Sequence, residues 1–246
     1  EVPGPVDFVI SCIPATGVLG LMEECTAKGV RAVHFFTARF SETGREEAAA
    51  LEQELLAQAR RAGIRIIGPN CMGLYYPKGG LAFKHTMPPQ SGSVAFFSQS
   101  GGNAEEVVLA GALRGLRFSK VVSYGNALDL NEADFLEYLA EDPETEIIGA
   151  YIEGAKEGRR FYEALRRTTP RKPVVILKGG RGEAGRRAVL THTASLAGSQ
   201  HLWEAAAKQT GAALADSLED LVDLLVAFRF CKPGRGLRVG VVGGGG

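Results

Sequence analysis

The chain has little of what would mark a secreted, membrane-bound or nucleic-acid-binding protein. Its charges balance, with 28 Lys+Arg against 28 Asp+Glu, and no basic run or interleaved aromatics define a nucleic-acid face. Anion binding therefore falls to local glycine turns. No apolar segment approaches the roughly 20 residues that span a bilayer, and Glu1-Val2-Pro3-Gly4-Pro5 lacks a signal-peptide pattern. A soluble, cytoplasmic protein with no nucleic-acid and no membrane partner is expected. The four cysteines, Cys12, Cys25, Cys71 and Cys231, are scattered without a CxxC pair. Such scatter argues against a zinc site and a disulfide framework, so reduced thiols and no metal are expected. His34 lies in an apolar strand and reads as a core histidine, while His85 and His201 have no partner motif. The single tryptophan, Trp203, fits a buried helix face better than a stacking platform.

What the sequence does have is alternation. At 246 residues and 45% hydrophobic composition it can bury two modest cores. Apolar runs alternate with helical patterns, the signature of right-handed βαβ units and a parallel sheet. The first unit reads as strand 7–13, helix Val18 to Lys28, strand 32–36, helix Glu46 to Ala62 and strand 64–67. The stretch Tyr76 to Gly92 is rich in Pro and Gly and reads as a connector. Beyond it come a strand from Ser93, further strands near Val121, Ile147 and Val174, and an amphipathic helix from Ser217 to Phe230 whose Leu218, Leu221, Val222 and Leu225 suit core packing. Leu237 to Val242 reads as another strand, followed by four glycines. The expected fold class is α/β: two successive Rossmann or flavodoxin-like parallel-sheet domains over 1–88 and 89–232, the first lacking its N-terminal part, plus the start of a third over 233–246.

Three sites carry chemistry. His192 is flanked by small and hydroxyl residues in Leu190-Thr191-His192-Thr193-Ala194-Ser195-Leu196-Ala197-Gly198, which leaves room for close approach. Imidazole suits phosphoryl relay, because one nitrogen can attack while the other is held by a carboxylate; the bland reading is a loop histidine without a role. Ser98-Gln99-Ser100-Gly101-Gly102 joins an apolar run to a helical pattern from Asn103. Free N–H groups and the helix dipole at Ser100 and Gly101 would favour a phosphoryl group, although such turns also occur as plain geometry. Glu153 follows the apolar run 147–152, at a strand's carboxyl end where ligands of open α/β sheets gather. It can hold His192 or be a solvated loop glutamate.

In order and spacing, Ile67-Gly68-Pro69-Asn70-Cys71-Met72-Gly73-Leu74, Ser98-Gln99-Ser100-Gly101, Ser123-Tyr124-Gly125-Asn126-Ala127-Leu128-Asp129, Tyr151-Ile152-Glu153-Gly154 and Lys178-Gly179-Gly180-Arg181 leading into the His192 loop resemble the nucleoside-diphosphate-forming acyl-CoA synthetases. That family includes the α subunit of succinyl-CoA ligase and the ADP-forming acetyl-CoA synthetases. The resemblance implies acyl-CoA + phosphate + NDP interconverting with carboxylate + CoA + NTP through phosphorylated His192, oriented by Glu153. Ser100, Gly101, Gly125 and Asn126 would border the phosphoryl group. It implies CoA at Ile13, Pro14, Ala15, Thr37, Asn70, Cys71 and Met72, with ATP/ADP or GTP/GDP and Mg on an ATP-grasp β subunit or fused domain, in an oligomer. Two departures stand out: no glycine-rich phosphate turn precedes Asp7, so weak CoA binding or none is expected of these residues, and Arg39 stands where relatives usually have a small residue. The second reading is a CoA-sensing regulatory module of the kind fused to protein acetyltransferases; an intact His192 argues against it.

Overall fold

The computed structural model describes residues 2–180, 200–232, 234, 236, 240 and 242–244. Two sheets form within them. The first has three parallel strands in the order β1 (Phe8–Ser11), β2 (Ala32–Phe35) and β3 (Arg65–Ile67), linked by α1 (Val18–Lys28) and α2 (Glu46–Ala62). Val18, Met22 and Cys25 on α1 and Leu55 and Ala59 on α2 recur at helical spacing and bury against Val33, Phe35 and Ile66.

The second sheet runs β4-β6-β5-β7-β8-β9, formed by β4 (Gly73–Tyr75), β5 (Val94–Ser98), β6 (Phe118–Ser123), β7 (Ile147–Ile152), β8 (Val174–Lys178) and β9 (Ala213–Ala215). All neighbours are parallel except β4, which lies antiparallel on β6 with Gly73 opposite Ser123 and Tyr75 opposite Val121. The helices are α3 (Gly101–Leu113), α4 (Glu132–Glu141), α5 (Gly158–Thr168), α6 (Gln200–Thr210) and α7 (Leu218–Phe230). Successive strand side chains face opposite ways. Phe97, Ile148 and Ile176 therefore meet Leu136 of α4 and Phe161 of α5 on one face, while Phe96, Val175 and Leu177 meet Val107 of α3 and Leu225 of α7 on the other. Burial on both faces is why these strands read as unbroken apolar runs rather than alternating ones.

The chain enters the second sheet earlier than the connector suggested. Three-residue β4 carries no periodicity of its own and exists because β6 offers a free edge. The connector also has local structure, a 3₁₀ turn at Pro77–Gly79 and a Tyr76–Leu81 bridge. Helix α3 begins at Gly101 rather than Asn103, with Ser100 as its N-cap. The His192 loop falls within 181–199 and lies outside the described residues, as does most of the strand expected over 237–242. No described helix is long and apolar enough to cross a membrane.

Candidate functional site

In the first sheet the expected contacts follow the carboxyl ends of the strands. The Thr37 hydroxyl donates to the Ile13 carbonyl at 2.7 Å, and the Asn70 N–H donates to the Thr37 carbonyl at 2.9 Å. These bonds tie the loops after β1, β2 and β3 into one rim. Pro14 caps a short turn beginning at Ala15. Cys71 departs from the expectation: its thiol is buried in the core against Phe35, and burial pushes it up to about 12. It is a packing thiol and offers no side chain to the rim.

In the second sheet the strand order places β6 on one side of β5 and β7 on the other. That is the doubly wound arrangement whose switch point lies between β5 and β7. Ser100 and Gly101 follow β5, and Glu153 follows β7. Ser100 is held twice: Ser98 Oγ donates to its carbonyl at 2.6 Å and accepts its N–H at 3.1 Å. Its own Oγ accepts the Asn103 N–H at 3.3 Å, which leaves the N–H groups of Gly101 and Gly102 directed out of the helix end. Glu153 is buried rather than solvated, at 5% exposure. Gln99 Oε1 accepts the N–H groups of both Glu153 and Gly154, fixing the loop after β7 to the turn after β5. Tyr151 Oη donates to Glu153 Oε1 at 3.4 Å, and burial together with the Glu153 charge pushes the phenol up to about 12. Glu153 Oε2 is buried with no hydrogen-bond partner among the described residues. A buried carboxylate oxygen without a donor is costly, so it marks a place for one. The Lys178 ammonium at the end of β8 donates to the Gly179 carbonyl and stands 5.9 Å over the Trp203 ring.

The two rims meet. A Cβ on Gly101 would lie 2.5 Å from Met72 Cγ, so the absence of a side chain lets the loop after β3 reach the start of α3. A Cβ on Gly125 would fall 2.2 Å from the Pro69 carbonyl oxygen and 2.3 Å from that of Asn70. Gly125 is thus a joint between the sheets. The Asn126 side chain is turned the same way: its amide donates to Glu42 Oε2 at 2.7 Å and Glu52 Oε1 at 3.2 Å, and its carbonyl accepts from Asn70 Nδ2 at 3.4 Å. That side chain bridges the two units and is not offered to a phosphoryl group. Gln99 and Tyr151 stand in the sequence only as members of the motifs around Ser100 and Glu153, with no role of their own, and the Glu42–Glu52 pair left no signal there.

The sequence matches the model of a CoA binding domain over residues 1–77 and that of the succinyl-CoA ligase like flavodoxin domain over 91–228. It is 42% identical to the Pyrococcus furiosus acetate–CoA ligase [ADP-forming] II subunit alpha, over 98% of this chain and 52% of that protein. To the Nitrosopumilus maritimus 4-hydroxybutyrate–CoA ligase [ADP-forming] it is 35% identical, over 93% of this chain and 33% of that protein. The fold superposes with TM-score 0.87 and 37% identity on the Ca. Korarchaeum cryptofilum dinucleotide forming acetyl-coenzyme A synthetase 1 solved with phosphate and ADP, covering 96% of this chain and 51% of that one. The chain spans about half, or less, of the length of these relatives. They are named as CoA ligases and synthetases, not as regulatory modules. With a matching domain model over more than half its length and the same two-sheet fold, the chain belongs to the succinyl-CoA ligase-like family.

Proposed function

We propose that this chain is the α-subunit-like part of an NDP-forming acyl-CoA synthetase. The observation that carries the reading is convergence: Met72, from the rim assigned to CoA, lies against Gly101 of the anion-binding turn, and Gln99 ties that turn to buried Glu153. Phosphate displacing CoA from an acyl group there would give acyl phosphate and a free thiol. The His192 imidazole then takes the phosphoryl group as the carboxylate leaves, and passes it to a nucleoside diphosphate on an ATP-grasp partner or fused domain. In this reading Glu153 Oε2 accepts a ring N–H of His192, holding its tautomer and stabilising the charged, phosphorylated form. The N–H groups of Gly101 and Gly102 hold the phosphoryl oxygens. Ile13, Pro14, Ala15, Thr37, Asn70 and Met72 hold CoA. Mg belongs to the nucleotide side, beyond this chain's residues. The whole is read as two domains over 1–88 and 89–232 with a third beginning at 233, working as an oligomer in the cytoplasm.

The test is phosphorylation. Incubation with labelled NTP, Mg and the nucleotide-binding partner should give an acid-labile, base-stable label that His192→Asn abolishes. Glu153→Gln should slow labelling by about two orders of magnitude, the range for lost electrostatic and acid–base support, with an unchanged melting temperature. Equal labelling of parent and His192→Asn would sink the assignment.

A further inference from the structure

Arg39 lies in the loop after β2, with a backbone φ of 77°. That is the left-handed region, which favours glycine and disfavours a long side chain. The local structure enforces it. Glu42 Oε1 accepts the Arg39 N–H at 2.5 Å and the Phe40 N–H at 3.1 Å, and the Phe40 ring is fully buried, so the backbone is fixed on both sides of the arginine. The side chain takes no part in holding this turn. It is exposed, and makes no ion pair or side-chain hydrogen bond among the described residues. The nearest carboxylate in the loop, Glu42, is already occupied by two backbone N–H groups and by Asn126. Strain retained at a position whose side chain stabilises nothing is a mark of ligand contact.

The surroundings say which kind of ligand. Arg39 is two residues beyond Thr37, whose hydroxyl and carbonyl join the three loops of the rim. Ile13, Pro14, Ala15, Thr37, Asn70, Cys71 and Met72 carry no charge, whereas CoA carries a diphosphate and a 3′-phosphate. A neutral rim leaves those anions without a counter-charge. Resting on the CoA reading above, we propose that Arg39 binds a phosphate of CoA, its planar fork pairing with two phosphate oxygens.

The assignment makes an unusual pair of expectations. Arg39→Gly relieves the backbone strain and removes the cation, so the variant should melt at a higher temperature and yet bind CoA about tenfold more weakly, the range for a lost charge-assisted pair. Arg39→Lys, which keeps the charge without the fork, should fall between the two. Arg45→Ala removes the other cation of the same loop, one with an ordinary φ of −90°, and should bind like the parent. Calorimetric titrations of CoA, dephospho-CoA and pantetheine into the full chain supply the readout. A loss seen with CoA alone assigns the 3′-phosphate, a loss seen with CoA and dephospho-CoA assigns the diphosphate, and pantetheine should not discriminate. Equal CoA affinity of Arg39→Gly and parent would overturn the role of Arg39 alone. No CoA binding by the parent would overturn the reading of the rim, and the Arg39 assignment with it.

Discussion

At the scale of single residues, buried carboxylates distinguish the site from an ordinary α/β edge. Glu132, the first residue of α4, is fully buried. Its Oε1 accepts the Lys156 N–H at 2.7 Å and the Glu157 N–H at 3.4 Å, while Oε2 has no hydrogen-bond partner among the described residues. It therefore orders the stretch between Glu153 and α5. Burial raises its pKa above the ordinary 4.5, outweighing the backbone donors that act the other way. A carboxyl raised in the folded state binds more protons than the unfolded chain between the two values. Its contribution to stability is fully present below about 4.5 and is lost as pH rises through the raised value. Glu132→Gln keeps an acceptor for both N–H groups and cannot ionise. Melting followed across a pH series should show parent and variant alike in acid and the variant more stable at neutral pH. A parent that gained stability over the variant as pH rose would contradict the sign. Tyr124, buried between these charges, is shifted upwards by burial first and by Glu132 and Glu153 second, so it stays a neutral phenol throughout this range.

At the scale of elements, the glycines of the two turns differ in what they do. Gly125 sits at φ 50° with the Pro69 and Asn70 carbonyls where a Cβ would go. Gly125→Ala must move backbone and should cost about 3 kcal/mol in denaturant unfolding. Gly102, the second residue of α3, has nothing nearer its would-be Cβ than Ser100 Oγ at 4.0 Å. Gly102→Ala should be neutral or stabilise by up to about 1 kcal/mol. A tolerated Gly125→Ala would mean that the loops after β3 and β6 are not in contact. This contrast also marks the reach of sequence reading. The ranges of α1 and α2 were legible because apolar spacing agrees with the glycines that close them, Gly29 and Gly63, and β5, β7 and β8 because burial on both faces leaves continuous apolar runs. The positions of Ser100 and Glu153 after strands were legible for the same reason. What was not legible is what tertiary pairing alone creates: three-residue β4, the turn of Asn126 towards Glu42 and Glu52, and the burial of Cys71. None of these leaves a periodicity or a spacing in the chain.

At the scale of the whole molecule, the two sheets are joined by polar groups as much as by packing. Asn126 supplies N–H donors to Glu42 and Glu52, and Glu52 is nearly fully buried. Asn126→Asp would replace the donor with a third carboxylate. Leaving buried charges unpaired costs about 3 kcal/mol, so calorimetry should show a lower melting temperature and separate transitions for the two sheets, with the deficit growing as pH rises. A single, unshifted transition would place the junction's strength elsewhere. The strand β4 adds a different tie. It is continuous with the first sheet through residues 68–72, yet its hydrogen bonds lie with β6 in the second, and the breaker-rich stretch 76–92 comes only after it. A protease nicking the exposed residues of that stretch, such as Lys84 to Thr86, would leave the strand on the earlier fragment and its pairing partner on the later one. The later fragment alone would bare the edge of β6, a row of unpaired N–H and C=O groups that invites self-association. The stretch easiest to cut is therefore one across which the halves remain clasped, and nicked chains should persist as complementing pairs.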